Sequence, residues 1–402
     1  MDRAAFEAFQ CDPYPHYARA RRAGGLTFSP ELEAWLVARD ADAREVLRRP
    51  EEFSSANALR PEVALPGDVL AELGNGIGGG PTVISSDGEQ HRRLRVPHNR
   101  GLSRQRVEEL APFVDERASD LVRRAAGGGA EWMRDYARVL PAEVLGRLVG
   151  LGPRDVPTVF HGIRRAEELL FRPLGHEEQL RAAREVAALQ HLLDSYVRDR
   201  WEHPRADVCT EFVRALVPGD EGLSRQRRGE VVSSVQNFLL AGYLTTTALL
   251  GSSVLHLLAD RRQWETLRRR PGLVPNTAAE AARFDPPLQG FRRLTTAPVT
   301  LSGVKLPPGS VVFVAFGSAN RDGAAHERPD VLDVTRRVRP NLAFGHGPHA
   351  CPGILLARQQ VQATLRALLR EIPEVRIARG AEVGMEPTLI HRSPVELPLT
   401  WT

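Results

Sequence analysis

Cys351 stands in the run Phe344-Gly-His-Gly-Pro-His-Ala-Cys351-Pro-Gly353, where one thiol is framed by glycines and follows a histidine by two residues. Such a run makes a tight backbone hairpin that presents a single thiolate to a metal. Gly345 and Gly347 can take backbone conformations closed to residues with a side chain. After Gly353, apolar residues recur at helical spacing through Leu365, Leu368 and Leu369. Cys351 is therefore expected at a helix N-terminus, where the dipole and free amide groups stabilise a thiolate. A lone cysteine in a cytosolic protein is ordinarily a small buried hydrophobe. That role needs neither phased glycines, nor His349, nor an aromatic residue at Phe344.

Three further groupings could carry chemistry or support it. The first lies in a long apolar pattern over residues 224–262, which as one helix would extend about 58 Å. Its middle holds Gly242 and Thr245-Thr246-Thr247, poor helix formers whose hydroxyls can bond back to a preceding carbonyl and bend the helix. The second is Glu280-Ala-Ala-Arg283, opposite charges on one helical face, before a helix stop at Pro286-Pro287. The third is His91-Arg-Arg-Leu-Arg95, a histidine and an arginine four apart on an expected helix.

The elements that must position these groups are mostly helical. Helical patterns cover 103–126, 139–149, 177–201 and 224–262, within a helix-rich stretch from about 107 to 283. Residues 26–29 and 34–38 read as a small hairpin, and 299–302 and 311–315 as later strands. Residues 59–86 form a long irregular segment with the glycine run 74–80; a loop of that length is usually functional or disordered. A helix that crosses a whole domain belongs in its core, so the chain reads as one domain, 1–402, mainly α with small β-sheets.

Composition narrows the function classes. The 402 residues carry 54 basic and 50 acidic side chains, a net charge of +4. Lys305 is the only lysine, so the basic residues are otherwise all arginine, which looks like a GC-rich genome more than a function. No basic run is interleaved with aromatics, which argues against nucleic acid. Three scattered cysteines give no disulfide framework and suit a reducing cytosol. No run of eighteen apolar residues and no apolar leader is present, so a soluble, cytoplasmic protein without a membrane span is expected.

Taken together, these motifs resemble the cytochrome P-450 family in its soluble bacterial class. The cysteine loop fills every defining position of that family's haem-binding loop. Ala241-Gly-Tyr-Leu-Thr245-Thr246 is similar to its oxygen-binding kink, and Glu280 to Arg283 to its Glu-x-x-Arg element. The likeness continues through Ala319-Asn-Arg-Asp322, Pro329-Asp330, Asp333 and Arg336, and runs from about Asp12 to the C-terminus. It implies a cytochrome P-450 fold with haem b between the long central helix and the cysteine-loop helix. Cys351 would be the metal ligand, with Phe344, Gly345 and Ala241 also facing the cofactor. His91, Arg95, Arg293 and His349 would hold the propionates, while Glu280, Arg283 and Arg336 would be structural. Thr245 would hydrogen-bond oxygen.

The implied activity is oxygen-dependent oxidation of an organic small molecule, free or tethered to a carrier protein, in specialised metabolism. Electrons would come from a ferredoxin or flavodoxin, docking on an arginine face drawn from Arg92, Arg93, Arg104, Arg336 and Arg337, with the enzyme a monomer. Substrate-pocket candidates by position are Gln236, Asn237, Leu240, Tyr243, Leu244, Leu288, Gln289, Phe291, Leu389 and Ile390. One position departs from the family pattern: Leu244 stands where an acid is expected before Thr245. Leucine cannot relay a proton, which keeps two alternatives in view. One is haem-thiolate chemistry of another kind, such as peroxide-driven oxidation, oxidative coupling or isomerisation. The other is a non-enzymatic haem protein that binds a ligand.

Overall fold

The computed structural model describes residues 9–124, 128–219, 222–388 and 390–401. Helices account for 57% of the chain and the sheets are small, as the sequence patterns predict. Two compact units form. One comprises Met1–Ser55, Ala111–Leu140 and Thr245–Thr402, and the other Ala56–Leu110 with Pro141–Leu244.

The first unit is built on a five-stranded sheet. Its strands run in the order Leu26–Ser29, Ala34–Val37, Val311–Ala315, Gly290–Thr295 and Phe53–Ser54. The hairpin expected at the start of the chain is present, with Leu26 opposite Val37 and Ser29 opposite Ala34. Val37, Val312 and Val314 face a core shared with Val46, Phe53, Leu301 and Leu342. β-Branched residues fit such a half-buried pleated surface. Strands Gly290–Thr295 and Val311–Ala315 run antiparallel, with Arg293 opposite Val312. The basic residue at 293 is thereby held on a central strand.

The second unit is helical. Its core includes the aromatic cluster of His98, Phe212 and Phe238, with ring centroids 4.9–5.8 Å apart. Helices Val156–Phe171 and His176–Glu202 pack closely because Gly162 leaves room for Leu189; an added Cβ would lie 2.8 Å from the Leu189 Cβ.

Helix 139–149 falls where expected, as Val139–Val149, and 177–201 appears as His176–Glu202. Helix 103–126 is observed as Arg104–Arg124, and the end expected at Ala126 lies outside the described residues. The pattern over 224–262 merges two helices, Arg225–Ala259 and Arg261–Arg269. The break comes at Asp260, whose carboxylate accepts from the Arg262 backbone N–H and caps the second helix. The segment 59–86 is less irregular than predicted, since it contains helix Gly67–Gly74 and a short turn of helix at Val83–Ser85. Among the described residues, helix Arg225–Ala259 alone is long and apolar enough to cross a membrane. Its most apolar window is 72% buried inside the protein, which makes it a core helix.

Candidate functional site

The cysteine loop is shaped by its own backbone. Gly345 and Gly347 have φ of +69° and +71°, a region that L side chains enter at a cost. The Gly345 N–H donates to the Leu342 carbonyl, Ala350 to Gly347, and Cys351 to Phe344 at 2.8 Å. This last bond closes the hairpin and fixes where the thiol stands. Helix Ile354–Glu371 starts three residues after Cys351, with Gly353 between them as its cap. Cys351 is exposed, whereas Cys209 is buried, and burial pushes its thiol up to about 12. Cys209 is thus inert at neutral pH, and Cys351 is presented.

His349 and Arg293 both belong to the unit that carries Cys351. The Ser55 hydroxyl lies 3.1 Å from Nε2 of His349, an orienting contact that sequence reasoning did not anticipate. Arg293 is 4% exposed and donates from Nη1 to the Arg292 carbonyl at 2.8 Å. Arg358, also unforeseen, sits on the cysteine helix with its guanidinium 5.5 Å from the Phe344 ring centroid. Its Nε has no hydrogen-bond partner, and burial lowers its pKa.

His91 and Arg95 share helix Gly88–Gly101, as the spacing predicts. His91 is buried, and burial followed by the Arg95 charge lowers its pKa. Arg95 donates to the Asn99 side chain at 2.8 Å.

The middle of the long helix is unbroken at Gly242 and Thr245–Thr247. The Thr247 hydroxyl is buried without a partner, and further along the Ser252 hydroxyl bonds back onto the Ala248 carbonyl at 2.9 Å. Ala241 is exposed and Leu244 and Thr245 are partly exposed, although Leu239, Leu240 and Thr246–Ser253 are buried. Offsets of three and four place these residues on one stripe, so this core helix opens one narrow face.

The other pocket candidates divide. Gln236 is partly exposed and accepts from the Gln190 side chain at 3.1 Å. Asn237 and Leu240 are largely buried. Tyr243 is 4% exposed, 4.8 Å from the Phe160 ring, which places it in the packing of its own unit. Gln289 is 2% exposed and donates to the Pro286 carbonyl at 2.9 Å, a role in the backbone frame. Leu288 and Phe291 are partly buried against the sheet core, and Ile390 is fully buried. Leu389 lies outside the described residues.

Glu280 and Arg283 form a buried network. Both carboxylate oxygens of Glu280 accept from Arg283 at 2.7 Å, and one also accepts from Arg336 at 2.9 Å. Arg283 further donates to the carbonyls of Asn320 and Pro329. Two guanidiniums on one carboxylate, with their remaining donors on backbone, satisfy a charge cluster that burial would otherwise penalise. Arg336 is committed here and is not available to a docking partner. Arg93 is likewise paired with Glu230. Arg92, Arg104 and Arg337 remain exposed.

The residues present fit a haem. Among the described residues no three His, Cys, Asp or Glu side chains could together hold a metal ion. An iron bound by Cys351 must then take its other ligands from a non-protein group, as the four nitrogens of a porphyrin provide. The exposed thiol on a glycine hairpin is of a kind that could hold an iron, and the buried Arg293 cation of a kind that could hold a propionate.

Comparison with known proteins bears on the same site. The cytochrome P-450 family model matches residues 259–372. Nocardicin C N-oxygenase of Nocardia uniformis subsp. tsuyamanensis is 33% identical over 92% of this chain and 90% of that protein. Mycinamicin IV hydroxylase/epoxidase of Micromonospora griseorubida is 31% identical, again over 92% of this chain and 90% of that protein. The solved structure of cytochrome P-450 CREJ in complex with (4-ethylphenyl) dihydrogen phosphate superposes with a TM-score of 0.91. It is 25% identical and covers 98% of each chain.

Proposed function

The chain belongs to the cytochrome P-450 family and is a haem b monooxygenase that acts on a small molecule with a redox partner, and we propose that the Cys351 thiolate would hold the haem iron. The observation that carries this is the exposed thiol of Cys351 on a hairpin closed by its own N–H and by two glycines at positive φ. The haem, once bound, supplies oxygen activation, with thiolate donation favouring O–O cleavage. Arg293, His349, His91 and Arg95 would hold the propionates through charge-assisted hydrogen bonds, with Ser55 orienting His349. Glu280, Arg283 and Arg336 keep the segment before the cysteine loop in place. Ala241 leaves room on the opened stripe, and Thr245 would offer its hydroxyl to dioxygen.

The substrate in this reading is a specialised metabolite, as the named relatives act on nocardicin C and mycinamicin IV. The reaction is a hydroxylation, epoxidation or related oxidation of a free or carrier-tethered molecule. A ferredoxin or flavodoxin supplies the electrons, meeting Arg92, Arg104 and Arg337, and the enzyme works as a monomer and a single domain in the cytoplasm. Because Leu244 carries no proton, protons reach Thr245 through ordered water or a polar group of the substrate. Leu244 also favours a second reading, haem-thiolate chemistry that needs no such proton.

Two measurements test the proposal. The reduced, carbon-monoxide-bound enzyme shows the red-shifted Soret band of thiolate ligation, and Cys351→His loses it while retaining haem. Thr245→Ala diverts reducing equivalents into hydrogen peroxide and lowers product per electron. An unshifted wild-type band refutes the ligand assignment, and an unchanged yield in Thr245→Ala selects the second reading.

A further inference from the structure

We infer that the cavity between the glycine run and the start of the long helix is a binding site for a small organic anion carrying carboxylate or phosphate groups. It lies within the second unit and uses none of the residues assigned to haem. Its volume is about 860 Å³, and its walls are residues 74 and 76–81, Gln90, Arg93, residues 225–227, Gly229 and Glu230. That volume falls in the range of small-molecule sites, roughly 300–1,000 Å³.

The wall is held in place. Gly78 donates its N–H to the Gln190 side chain at 2.9 Å and Gly80 to the Ser233 hydroxyl at 2.9 Å. Arg225 donates to the Gly76 carbonyl at 3.2 Å. A Cβ on Gly78 would come within 2.2 Å of the Gln190 side chain, and one on Gly229 within 2.9 Å of the Ile77 carbonyl. The glycines therefore let bare backbone approach helices His176–Glu202 and Arg225–Ala259, and they line the cavity with peptide groups in place of apolar side chains.

The charge on this lining is one-sided. Arg93, Arg225 and Arg227 face a single carboxylate, Glu230. Glu230 is engaged by Arg93 through both oxygens, and Arg227 lies 3.7 Å from it. The lining thus keeps an excess of two positive charges. Guanidinium groups bind carboxylate and phosphate through paired, charge-assisted hydrogen bonds. Among the described residues the lining has no aromatic ring to stack on a nucleic acid base, and Ile77 and Pro81 are its only apolar side chains, so polar and charged groups predominate. Arg93 and Arg227 are partly open to solvent, so binding must weaken as salt screens it.

Isothermal titration of the holoenzyme with sodium pyrophosphate, and separately with succinate, tests this at low and high sodium chloride. Saturable one-to-one binding of either anion is expected, weakening with salt. Binding of pyrophosphate alone assigns a phosphate-bearing ligand, of succinate alone a carboxylate. Arg227→Gln and Arg225→Gln should each weaken it about tenfold, the loss of one charge-assisted contact, with the haem spectrum unchanged. Far-UV circular dichroism checks the fold of both variants. No saturable binding of either anion, or binding that survives the double substitution at full strength, overturns the inference. Neither result touches the assignment of Cys351, which is read from the haem spectrum.

Discussion

Alanine at Gly347 and alanine at Gly345 should have very different effects, although the two glycines share a motif and nearly the same φ. Either substitution places a side chain in the left-handed region, which costs roughly 1–2 kcal/mol. At Gly345 nothing more is added, because the nearest heavy atom to a new Cβ is the His349 carbonyl oxygen at 3.7 Å. At Gly347 the new Cβ would lie 2.2 Å from the Leu47 carbonyl oxygen, in helix Asp40–Arg48. Relieving that contact requires the loop to withdraw by about 1 Å, since carbon atoms rest near 3.5 Å from their neighbours. The shift passes to His349 and Cys351, which are bonded into the same hairpin. Gly345→Ala should therefore retain haem and the shifted carbon-monoxide band, with stability reduced by about 1–2 kcal/mol. Gly347→Ala should lose more than that in urea denaturation, bind less haem and show a fraction of unshifted Soret band. Haem content and the reduced carbon-monoxide spectrum of both purified variants decide the matter. If Gly347→Ala matches Gly345→Ala in both, the close approach to Leu47 does not position the cysteine loop.

Three other outcomes are expected. Pro352 has no N–H to donate to the Cys351 sulfur, so Pro352→Leu should raise the ferric/ferrous potential in a spectroelectrochemical titration; no change would assign Pro352 to turn formation alone. Leu244→Glu should bring little gain in product per reducing equivalent, as a proton route already exists; a severalfold rise would show that route to be poor. His98 is buried, with Nδ1–H donating to the Leu94 carbonyl at 2.9 Å, and burial lowers its pKa to about 4. The folded value lies below the unfolded 6.5, so this group's contribution is full above pH 6.5 and is lost as pH falls toward 4. The loss amounts to about 3 kcal/mol, and His98→Phe should flatten the urea-denaturation midpoint over that window. A slope that persists in the variant would place the acid sensitivity elsewhere.

What the sequence determined by itself was local. The cysteine hairpin is legible because a glycine at positive φ, a cysteine and a following helix are all specified within ten residues, and the structure adds only Leu47 as the reason Gly347 cannot change. The helix carrying His91 and Arg95, and the Glu280–Arg283 pair, are legible for the same reason, since an offset of three or four along a helix is already a spatial relation. The tertiary structure decided what depends on distant partners. Tyr243 and Gln289 both look like pocket residues in the chain. Phe160 packs over the first, and the second is fixed by its backbone N–H donating to the Ile390 carbonyl, and no local pattern encodes either contact. The glycine run 74–80 reads as a loose loop until Gln190, over a hundred residues away, is seen to hold Gly78. A buried carboxylate at Asp285 is likewise held ionised, with a pKa near 2, against a burial penalty that Arg392, His256 and Tyr14 together outweigh. Those partners come from separate stretches of the chain, brought together only by packing, because burial makes each polar group find whatever donor or acceptor the fold places beside it.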